Sequence, residues 1–220
     1  MAPVIDLRCC GVDEMLASVE PGSAAMIHAD PPWLYKVQKR SGCAQNIYDG
    51  LSEPAIAEHV EAAYAAADDD AYLFLWTTFP KLAAWMSASS AMPWTFISGG
   101  AWGKPGQFGI GFHFAGDAEL MLLYRKGAPK PRKRGTNFWM SRRGEHSEKP
   151  AQALSQFVEM GSDPGGTVID LYAGETASMA LACRAMGRRY IGAEIDPERH
   201  RRAVARLHQT GLFDSTRPSL

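Results

Sequence analysis

The sequence lacks the features that mark several classes of protein. No apolar run approaches the roughly 18 residues of a membrane span, and the first residues lack the charged and apolar regions of a secretory signal. The four cysteines show no CxxC spacing and no paired framework: they are Cys9, Cys10, Cys43 and Cys183. We therefore expect no membrane contact, no metal site, and reduced thiols in a cytoplasmic protein.

An excess of charge of either sign is also missing. Lysine and arginine number 23 and the acidic residues 24, so the net charge is −1. This excludes a polycationic packaging protein, and any contact with nucleic acid must come from a local patch. The hydrophobic share of 46% excludes a disordered chain. A length of 220 residues predicts one domain spanning 1–220.

The hydrophobic pattern alternates between strands and helices. Short apolar runs predict strands at 24–29, 71–76, 119–124, 167–171 and 189–195. Helical patterns lie at about 52–67, 81–90, 151–160, 177–186 and 197–209, with Ser52 capping the first and Gly187 ending the fourth. This order is typical of an α/β fold, here one Rossmann-like domain with a mostly parallel twisted sheet and helices on both faces. In such sheets ligands bind beyond the carboxyl ends of the strands.

The first candidate site is Asp30-Pro31-Pro32-Trp33, directly after the strand at 24–29. Two consecutive prolines hold the chain extended and remove two backbone donors, so their carbonyls can point into a pocket as unopposed acceptors. The ring of Trp33 offers a flat stacking surface. A planar base with an exocyclic NH₂ group fits this turn, because the amine can donate to Asp30 and to the Pro31 carbonyl. The alternative is a rigid turn with a surface aspartate.

The second candidate site is the small-residue turn after the strand at 167–171. With Glu194 lying 20 residues after Gly174, this region has the layout of half a nucleotide-binding unit. The GxGxxG pattern is absent, since Glu175 and Thr176 follow Gly174, and an acid there would repel a pyrophosphate. This favours a nucleoside cofactor without phosphates, of which S-adenosylmethionine is the common one. The alternative is an ordinary βαβ unit with a solvated Glu194.

These two turns, in this order, resemble the MT-A70-like family of N6-adenine methyltransferases, within the permuted class of amino-methyltransferases. The turn Asp30-Pro-Pro-Trp33 is similar to the catalytic signature of that family, and the resemblance spans nearly the whole chain. Family members often carry a second glycine where Thr176 stands here. The other blocks that resemble the family are Tyr48-Asp-Gly-Leu-Ser52, Leu73-Phe-Leu-Trp-Thr77, Trp102-Gly-Lys104, Gly109-Ile-Gly111, Glu119-Leu-Met-Leu-Leu123 and Glu145-His-Ser-Glu-Lys-Pro150.

The resemblance implies transfer of a methyl group from S-adenosylmethionine to the N6 atom of adenine. Asp30 and the Pro31 carbonyl would bind the amine, with Pro32 and Trp33 completing the catalytic turn. Lys149 would lie near the cofactor carboxylate. The expected cofactor contacts are Asp30, Lys149, Asp170, Tyr172, Ala173, Gly174, Thr176, Glu194, Ile195 and Asp196.

The chemistry also follows from the residues themselves. Adenine N6 is a poor nucleophile because its lone pair is delocalised into the ring. Hydrogen bonds from the amine to Asp30 and Pro31 favour a pyramidal nitrogen and localise that pair. No strong base is needed before attack, because the product cation loses its proton readily afterwards. C5-cytosine methylation is disfavoured because no Pro-Cys sequence supplies a nucleophilic thiol. N4-cytosine enzymes, which usually carry serine in place of the aspartate, remain an alternative.

Two segments are candidates for contact with nucleic acid. The segment 125–143 holds eight Lys/Arg and no acid, and predicts an exposed basic loop in place of a target-recognition domain. The segment 35–49 predicts a mobile flap beside the active site. A solvated charged loop and a disordered insertion are the respective alternatives. The expected contacts are Lys36, Lys39, Arg40, Arg132, Lys133, Arg134, Trp139, Arg142 and Arg143.

The combined prediction is an N6-adenine methyltransferase that acts on DNA with low sequence specificity, as a monomer or a homodimer. A compact enzyme without a recognition domain suits a bacterial cell or one infected by a phage. One alternative is an RNA N6-adenine methyltransferase, because a basic loop does not distinguish ribose from deoxyribose. Another is a catalytically silent nucleic-acid-binding subunit, which Thr176 in the cofactor turn keeps open.

Overall fold

A computed structural model of the chain describes residues 3–35, 50–106, 113–114, 116–142, 144 and 148–209. Strands and helices alternate through most of this range, as the hydrophobic pattern predicts. The strands are β1 (Ile5–Arg8), β2 (Ala24–Ala29), β3 (Ala67–Thr77), β4 (Thr95–Gly103), β5 (Ala118–Lys126), β6 (Phe138–Met140), β7 (Thr167–Asp170) and β8 (Arg189–Ala193). The helices are α1 (Val12–Ala17), α2 (Glu53–Ala66), α3 (Phe79–Ala88), α4 (Ala151–Gly161), α5 (Ser178–Ala185) and α6 (Pro197–His208).

The strands form one eight-stranded sheet in the order β1-β8-β7-β2-β3-β5-β4-β6. Every neighbouring pair is parallel except β5, which runs antiparallel to both β3 and β4. The amino end of β5 therefore lies at the same edge of the sheet as the carboxyl ends of β2, β3 and β7. We call this edge the catalytic edge, because the predicted catalytic turn, Asp30–Trp33, follows β2 there.

Helices cover both faces of the sheet, which confirms the predicted α/β architecture. Side chains alternate along β2, so that Ile27 packs in a core with α1, α2 and α3, and Met26 packs in a second core with α4, α5 and α6. In the second core Phe74 of β3 stacks on Phe157 of α4, with 4.5 Å between the ring centroids. Such an aromatic pair contributes about 1 kcal/mol beyond the area that it buries.

Local signals in the sequence account for several helix ends. The Ser52 side chain accepts a hydrogen bond from the Ala55 N–H at the start of α2, with Pro54 in the first turn. Gly187 follows α5 with a φ of +72°, a conformation that glycine adopts without strain. Both predictions are confirmed. Among the described residues no helix is long and apolar enough to cross a membrane.

Four elements lie outside the predicted pattern: β1, α1, β4 and β6. All four residues of β1 are partly exposed, so its alternation of apolar and polar residues gives a weak signal. In β4, Gly99 and Gly100 interrupt the strand, and glycine disfavours strands in sequence-based prediction. Packing explains Gly100, because a Cβ atom there would lie 2.7 Å from the ring of Trp139.

Candidate active site

The two predicted turns open side by side on the catalytic edge. They follow β2 and β7, which are parallel neighbours in the sheet. The Leu171 N–H, just past β7, donates to the His28 carbonyl of β2 at 3.0 Å. Asp30 comes directly after β2 and Gly174 shortly after β7. The fold therefore brings two turns that are distant in sequence to one edge of the sheet.

The catalytic turn, Asp30–Trp33, is fastened to the chain that precedes α2. The Leu51 N–H donates to the Pro32 carbonyl at 2.7 Å, and the Leu34 N–H donates to the Leu51 carbonyl at 2.9 Å. The prediction of two unopposed proline carbonyls is therefore wrong for Pro32, whose oxygen has a backbone partner. Pro31 is left as the candidate acceptor beside Asp30.

The indole of Trp33 is held in a fixed orientation. Its N–H donates to the Trp76 carbonyl at 3.2 Å. The ring also packs edge-on against Trp85, with 5.6 Å between centroids and an interplanar angle of 81°. Trp33 remains partly exposed, so it can present an apolar surface that is already oriented when a planar ligand arrives.

A row of four side chains of alternating charge leads away from Asp30. The Lys149 ammonium lies 2.5 Å from Asp30 Oδ2 and 3.2 Å from Glu119 Oε2. The other oxygen of Glu119 accepts a hydrogen bond from Lys104 at 2.6 Å. Lys149 and Glu119 are each 8% exposed and Lys104 is 4% exposed. Pairing of neighbours along the row makes burial of these charges tolerable.

The pKa values of this row follow from burial and pairing. Burial raises the pKa of Asp30, and the ammonium of Lys149 opposes that rise. Burial lowers the pKa of Lys149, but the carboxylates of Asp30 and Glu119 outweigh it, so the pKa of Lys149 lies above its usual value. Lys149 therefore stays protonated at neutral pH and favours the ionised form of Asp30.

Sequence reasoning assigned no role to Lys104 or Glu119. Lys104 directly follows β4, and Glu119 stands near the amino end of β5. The only sign in the sequence that could have indicated these two residues is that each is a charged residue at the end of a predominantly apolar strand. That signal places Glu119 on the catalytic edge only once β5 is known to run antiparallel to its neighbours.

The cofactor turn, between β7 and α5, lies against the end of β8. The Ala173 N–H donates to the Ala193 carbonyl at 2.9 Å. Glu194 accepts a hydrogen bond from the Asp196 N–H at 2.9 Å. Burial raises the pKa of Glu194, and the backbone N–H groups of Asp196 and Gly174 oppose that rise. The structure thus brings together Gly174 and Glu194, as predicted.

The acid of the cofactor turn has a partner on α6. Glu175 pairs with Arg202 at 2.7 Å, and this contact raises the pKa of Arg202. Next to it, the Thr176 hydroxyl accepts a hydrogen bond from the Ser178 hydroxyl at 3.0 Å. The guanidinium compensates Glu175 without leaving the turn a net positive charge, so the turn is unsuited to a pyrophosphate.

Asp170 does not reach the cofactor turn with its side chain, which corrects the expectation that it binds the cofactor. Its carboxylate is 1% exposed. One oxygen lies 2.8 Å from His28 Nδ1, and the other accepts a hydrogen bond from the Tyr190 hydroxyl at 3.0 Å. Asp170 therefore ties β2, β7 and β8 together beneath the site.

The remaining expected cofactor residues lie just past the carboxyl ends of β7 and β8. The Tyr172 hydroxyl lies 2.8 Å from His59 Nδ1 of α2, and burial raises the pKa of Tyr172. Ile195 is 76% exposed. The Asp196 side chain caps α6 by accepting from the N–H groups of Glu198 and Arg199, so its carboxylate has a structural role at this position.

Trp139 was expected to stack on a base, and that expectation is wrong. The residue belongs to β6 and is 2% exposed. Its ring packs against Trp76 and Phe157, with centroid distances of 6.3 Å and 5.4 Å. The indole is part of the core beneath α4 and is inaccessible to nucleic acid.

The basic segment is not one loop beside the active site. Arg132 pairs with Asp163, in the connection that leads into β7, and Lys133 pairs with Glu159 near the end of α4 at 3.0 Å. These partners lie at the edge of the sheet opposite the catalytic edge. Arg132 and Lys133 therefore lie away from the catalytic turn, and their predicted contact with nucleic acid stays a prediction.

The other predicted contacts with nucleic acid lie at different places in the fold, and some of them lie outside the described residues. Arg134 is exposed next to Lys133. Arg142 is exposed just past β6, and the neighbouring Ser141 N–H donates to the Gly103 carbonyl at the end of β4, which places this arginine at the catalytic edge. Four predicted contacts lie outside the described residues: Lys36, Lys39, Arg40 and Arg143.

Comparison with known proteins points to one family. A family model described as DNA methylase (N6_N4_Mtase) matches residues 24–205. YubD of Escherichia coli (strain K12) is 28% identical over 199 residues, covering 85% of this chain and 83% of that protein. The DNA adenine methyltransferase YhdJ of the same organism is 32% identical over 104 residues, covering 42% of this chain and 35% of its own. The crystal structure of the M1.HpyAVI–SAM complex superposes with a TM-score of 0.71 at 15% identity, covering 94% of this chain and 100% of that one.

Proposed function

This chain belongs to the N6_N4_Mtase family of DNA methylases, and from that membership we propose that it methylates the N6 amine of adenine in DNA, with S-adenosylmethionine as the donor. The observation that carries the proposal is the Asp30 carboxylate, which lies beyond β2 beside the turn that follows β7. A carboxylate acceptor there suits an amino group that must be bound and oriented. The relative YhdJ is a DNA adenine methyltransferase.

The cofactor turn has the donors and acceptors that S-adenosylmethionine requires. Glu194, 8% exposed at the end of β8, is a carboxylate acceptor suited to ribose hydroxyls. Glu175 and Arg202 neutralise each other, so a nucleoside without phosphates fits the turn. Glu194, Gly174 and Ile195 would hold this cofactor, which supplies a methyl group on positively charged sulfur when bound.

The residues of the catalytic turn prepare the amine. Asp30 and the Pro31 carbonyl accept hydrogen bonds from its two N–H groups, which favours a pyramidal nitrogen with a localised lone pair. Lys149 fixes the orientation of Asp30 and favours its ionised form, while Trp33 provides the stacking surface for the ring. Holding the reacting groups in line supplies much of the remaining rate.

The choice of N6-adenine over N4-cytosine rests on the acid. A carboxylate accepts hydrogen bonds without donating one, which suits an amine flanked by a second acceptor, Pro31. N4-cytosine enzymes usually place serine at this position, as the resemblance described above implies. Low sequence specificity is part of the proposal, because the described residues between β5 and α4 form only one three-residue strand and its connections.

A methyl-transfer assay with isotopically labelled S-adenosylmethionine tests the proposal. The substrates are duplex DNA, single-stranded DNA and RNA of matched sequence, followed by digestion to nucleosides and identification by mass spectrometry. We expect N6-methyldeoxyadenosine from DNA, spread over many sequence contexts. N4-methyldeoxycytidine, or label in RNA alone, would contradict the substrate. Absence of transfer by a chain that binds DNA would favour a silent subunit.

A further inference from the structure

Three large apolar side chains stand exposed beside the catalytic turn. Leu34 is 43% exposed, Tyr35 is 37% exposed and Phe79 is 63% exposed. Leu34 and Tyr35 directly follow Trp33 in the chain. Phe79 is the first residue of α3, and a single residue, Thr78, separates it from β3. Because β3 is the parallel neighbour of β2, all three lie at the catalytic edge. We call these three side chains the apolar rim.

The apolar rim is anchored at its base. The Tyr35 hydroxyl lies 2.6 Å from Thr78 Oγ1. The Lys81 ammonium lies 5.0 Å from the centre of the Tyr35 ring, donates to the Leu34 carbonyl, and pairs with Glu53 at 2.9 Å. Thr78 is the residue before α3, yet its hydroxyl contacts Tyr35 and makes no cap to the helix. These contacts hold Leu34 and Tyr35 against the start of α3.

The apolar rim is continuous with the reaction site. Burial raises the pKa of Tyr35, and among the charged groups near enough to influence it are Glu119, Lys149 and Asp30. Trp33 lies next in the chain, with its N–H already bonded to the Trp76 carbonyl. The target base that contacts Asp30 and Trp33 therefore has the apolar rim at its side.

In a duplex the target adenine is inside the base stack, so it must leave the stack to reach Asp30. The bases on either side then expose flat apolar faces. Proteins that open base stacks insert apolar wedges such as Phe or Leu between base steps, and bases also stack on aromatic rings. Phe79 is 63% exposed and lies next to the catalytic turn. Its apolar ring can stack on the base faces that the departure of the adenine exposes.

We propose that the apolar rim, with Phe79 at its tip, enters the base stack of duplex DNA and occupies the space that the target adenine leaves. This inference rests on the proposed function and adds the surface that contacts the bases flanking the target. Phe79 is assigned to opening the duplex, and Asp30 to the chemistry. Phe79 should therefore matter only when the target adenine lies in a base stack, whereas Asp30 should matter on every substrate.

The test compares Phe79→Ala with the unmodified protein on three substrates of one sequence: duplex DNA, single-stranded DNA, and a duplex with an abasic site opposite the target adenine. We expect the Phe79→Ala rate on the normal duplex to fall by about tenfold, because the lost side chain no longer offsets unstacking of the base. The rate on the single strand should stay within about twofold, since no duplex stack has to open there. The abasic duplex should lose less than the normal duplex and more than the single strand, because its adenine is unpaired but still stacked. Phe79→Leu should recover most of the duplex rate.

Phe96→Ala is the matched control. Phe96 is 46% exposed near the start of β4, at the edge opposite the catalytic edge, and lies against Tyr124. Its removal should leave the three substrates in their original order of rates. Equal loss by Phe79→Ala on all three substrates, or no loss on the duplex, would overturn the wedge. Activity of the unmodified protein on single strands alone would overturn the wedge and leave the proposed function intact, whereas inactivity on every DNA substrate would overturn the proposed function.

Discussion

The ammonium of Lys149 lies 2.5 Å from Asp30 Oδ2, although the two residues are 119 positions apart in the chain. Their contact joins the turn after β2 to the chain that leads into α4. The resemblance placed Lys149 near the carboxylate of the cofactor. The structure gives it two protein carboxylates as partners, Asp30 and Glu119, so its charge acts directly on the residue that we assign to the amine.

Replacing Lys149 should shift the pH dependence of turnover. Burial raises the pKa of Asp30 and Lys149 opposes this rise, so Lys149→Met should raise the pKa of Asp30 further. The acidic limb of the rate profile should then move to higher pH, because protonated Asp30 is a poorer acceptor of the hydrogen bond from the amine. Lys149→Arg, which keeps the charge, should shift it less. A limb that stays in place in Lys149→Met would contradict the role of this ammonium.

Glu119 should be required for stability because it separates two buried ammonium groups. Glu119→Gln leaves Lys104 and Lys149 without the negative charge between them, and we expect a loss of about 3 kcal/mol in the free energy of unfolding. Denaturant unfolding near neutral pH measures this. The double variant Lys104→Met/Glu119→Gln removes one charge of each sign and should recover part of the loss. A double variant less stable than Glu119→Gln would show that pairing is not the cause.

Ala177 should be a position where glycine stabilises the protein. Its φ of 45° and ψ of 35° lie in the left-handed region, just before α5, and the side chain is fully buried. Removing the Cβ atom relieves backbone strain of about 1 kcal/mol, so Ala177→Gly should raise the thermal midpoint. Ala182→Gly, inside α5, should lower it by a similar free energy. If both variants destabilise equally, the left-handed backbone of Ala177 carries no strain.

Trp139 and Lys133, which were both expected to contact nucleic acid, should differ in how much they contribute to the free energy of unfolding. Trp139→Ala removes a buried ring between Trp76 and Phe157 and should lower the free energy of unfolding by about 3–5 kcal/mol. Lys133→Ala removes one side of an exposed ion pair with Glu159, which is worth about 0–1 kcal/mol. Denaturant unfolding gives both values. A fully stable Trp139→Ala variant with weakened DNA binding would restore the stacking hypothesis.

Much of the fold could be predicted because its central strands are apolar runs bounded by turn residues. The strands β2, β3, β5, β7 and β8 each overlap a predicted strand, and Ser52 and Gly187 act as predicted at helix ends. The pattern failed where tertiary contacts decide the structure. Position 100 of β4 is a glycine because Trp139 occupies the space that a side chain would need, and a hydrophobicity pattern carries no information on such a contact.

The site could be predicted at the level of its turns. The two turns lie side by side at one edge of the sheet because each follows an apolar strand that could be recognised in the sequence; their catalytic and cofactor-binding roles stay predictions. Lys104 and Glu119 were missed, since their convergence on Lys149 depends on the antiparallel β5. Asp170 was assigned to the cofactor from its place in the motif, whereas its contacts with His28 and Tyr190 come from strands that are neighbours only in the folded sheet.

The central claim is that the Asp30 carboxylate acts on the amino nitrogen, and that the donor, for which Asp30 was also an expected contact, still binds without this carboxylate. The variant Asp30→Asn, which keeps the shape and removes the charge, tests this when S-adenosylmethionine binding is measured by calorimetry alongside single-turnover methyl transfer to duplex and single-stranded DNA. Asp68→Asn, at the start of β3 on the opposite edge, is the matched control and should leave both quantities unchanged.

We predict that Asp30→Asn lowers the transfer rate by about 100-fold or more, as the loss of a single polar contact to a reacting group typically does, while donor affinity stays within about threefold. A transfer rate equal to that of the unmodified protein would contradict the account, and so would a rate loss explained entirely by lost donor binding.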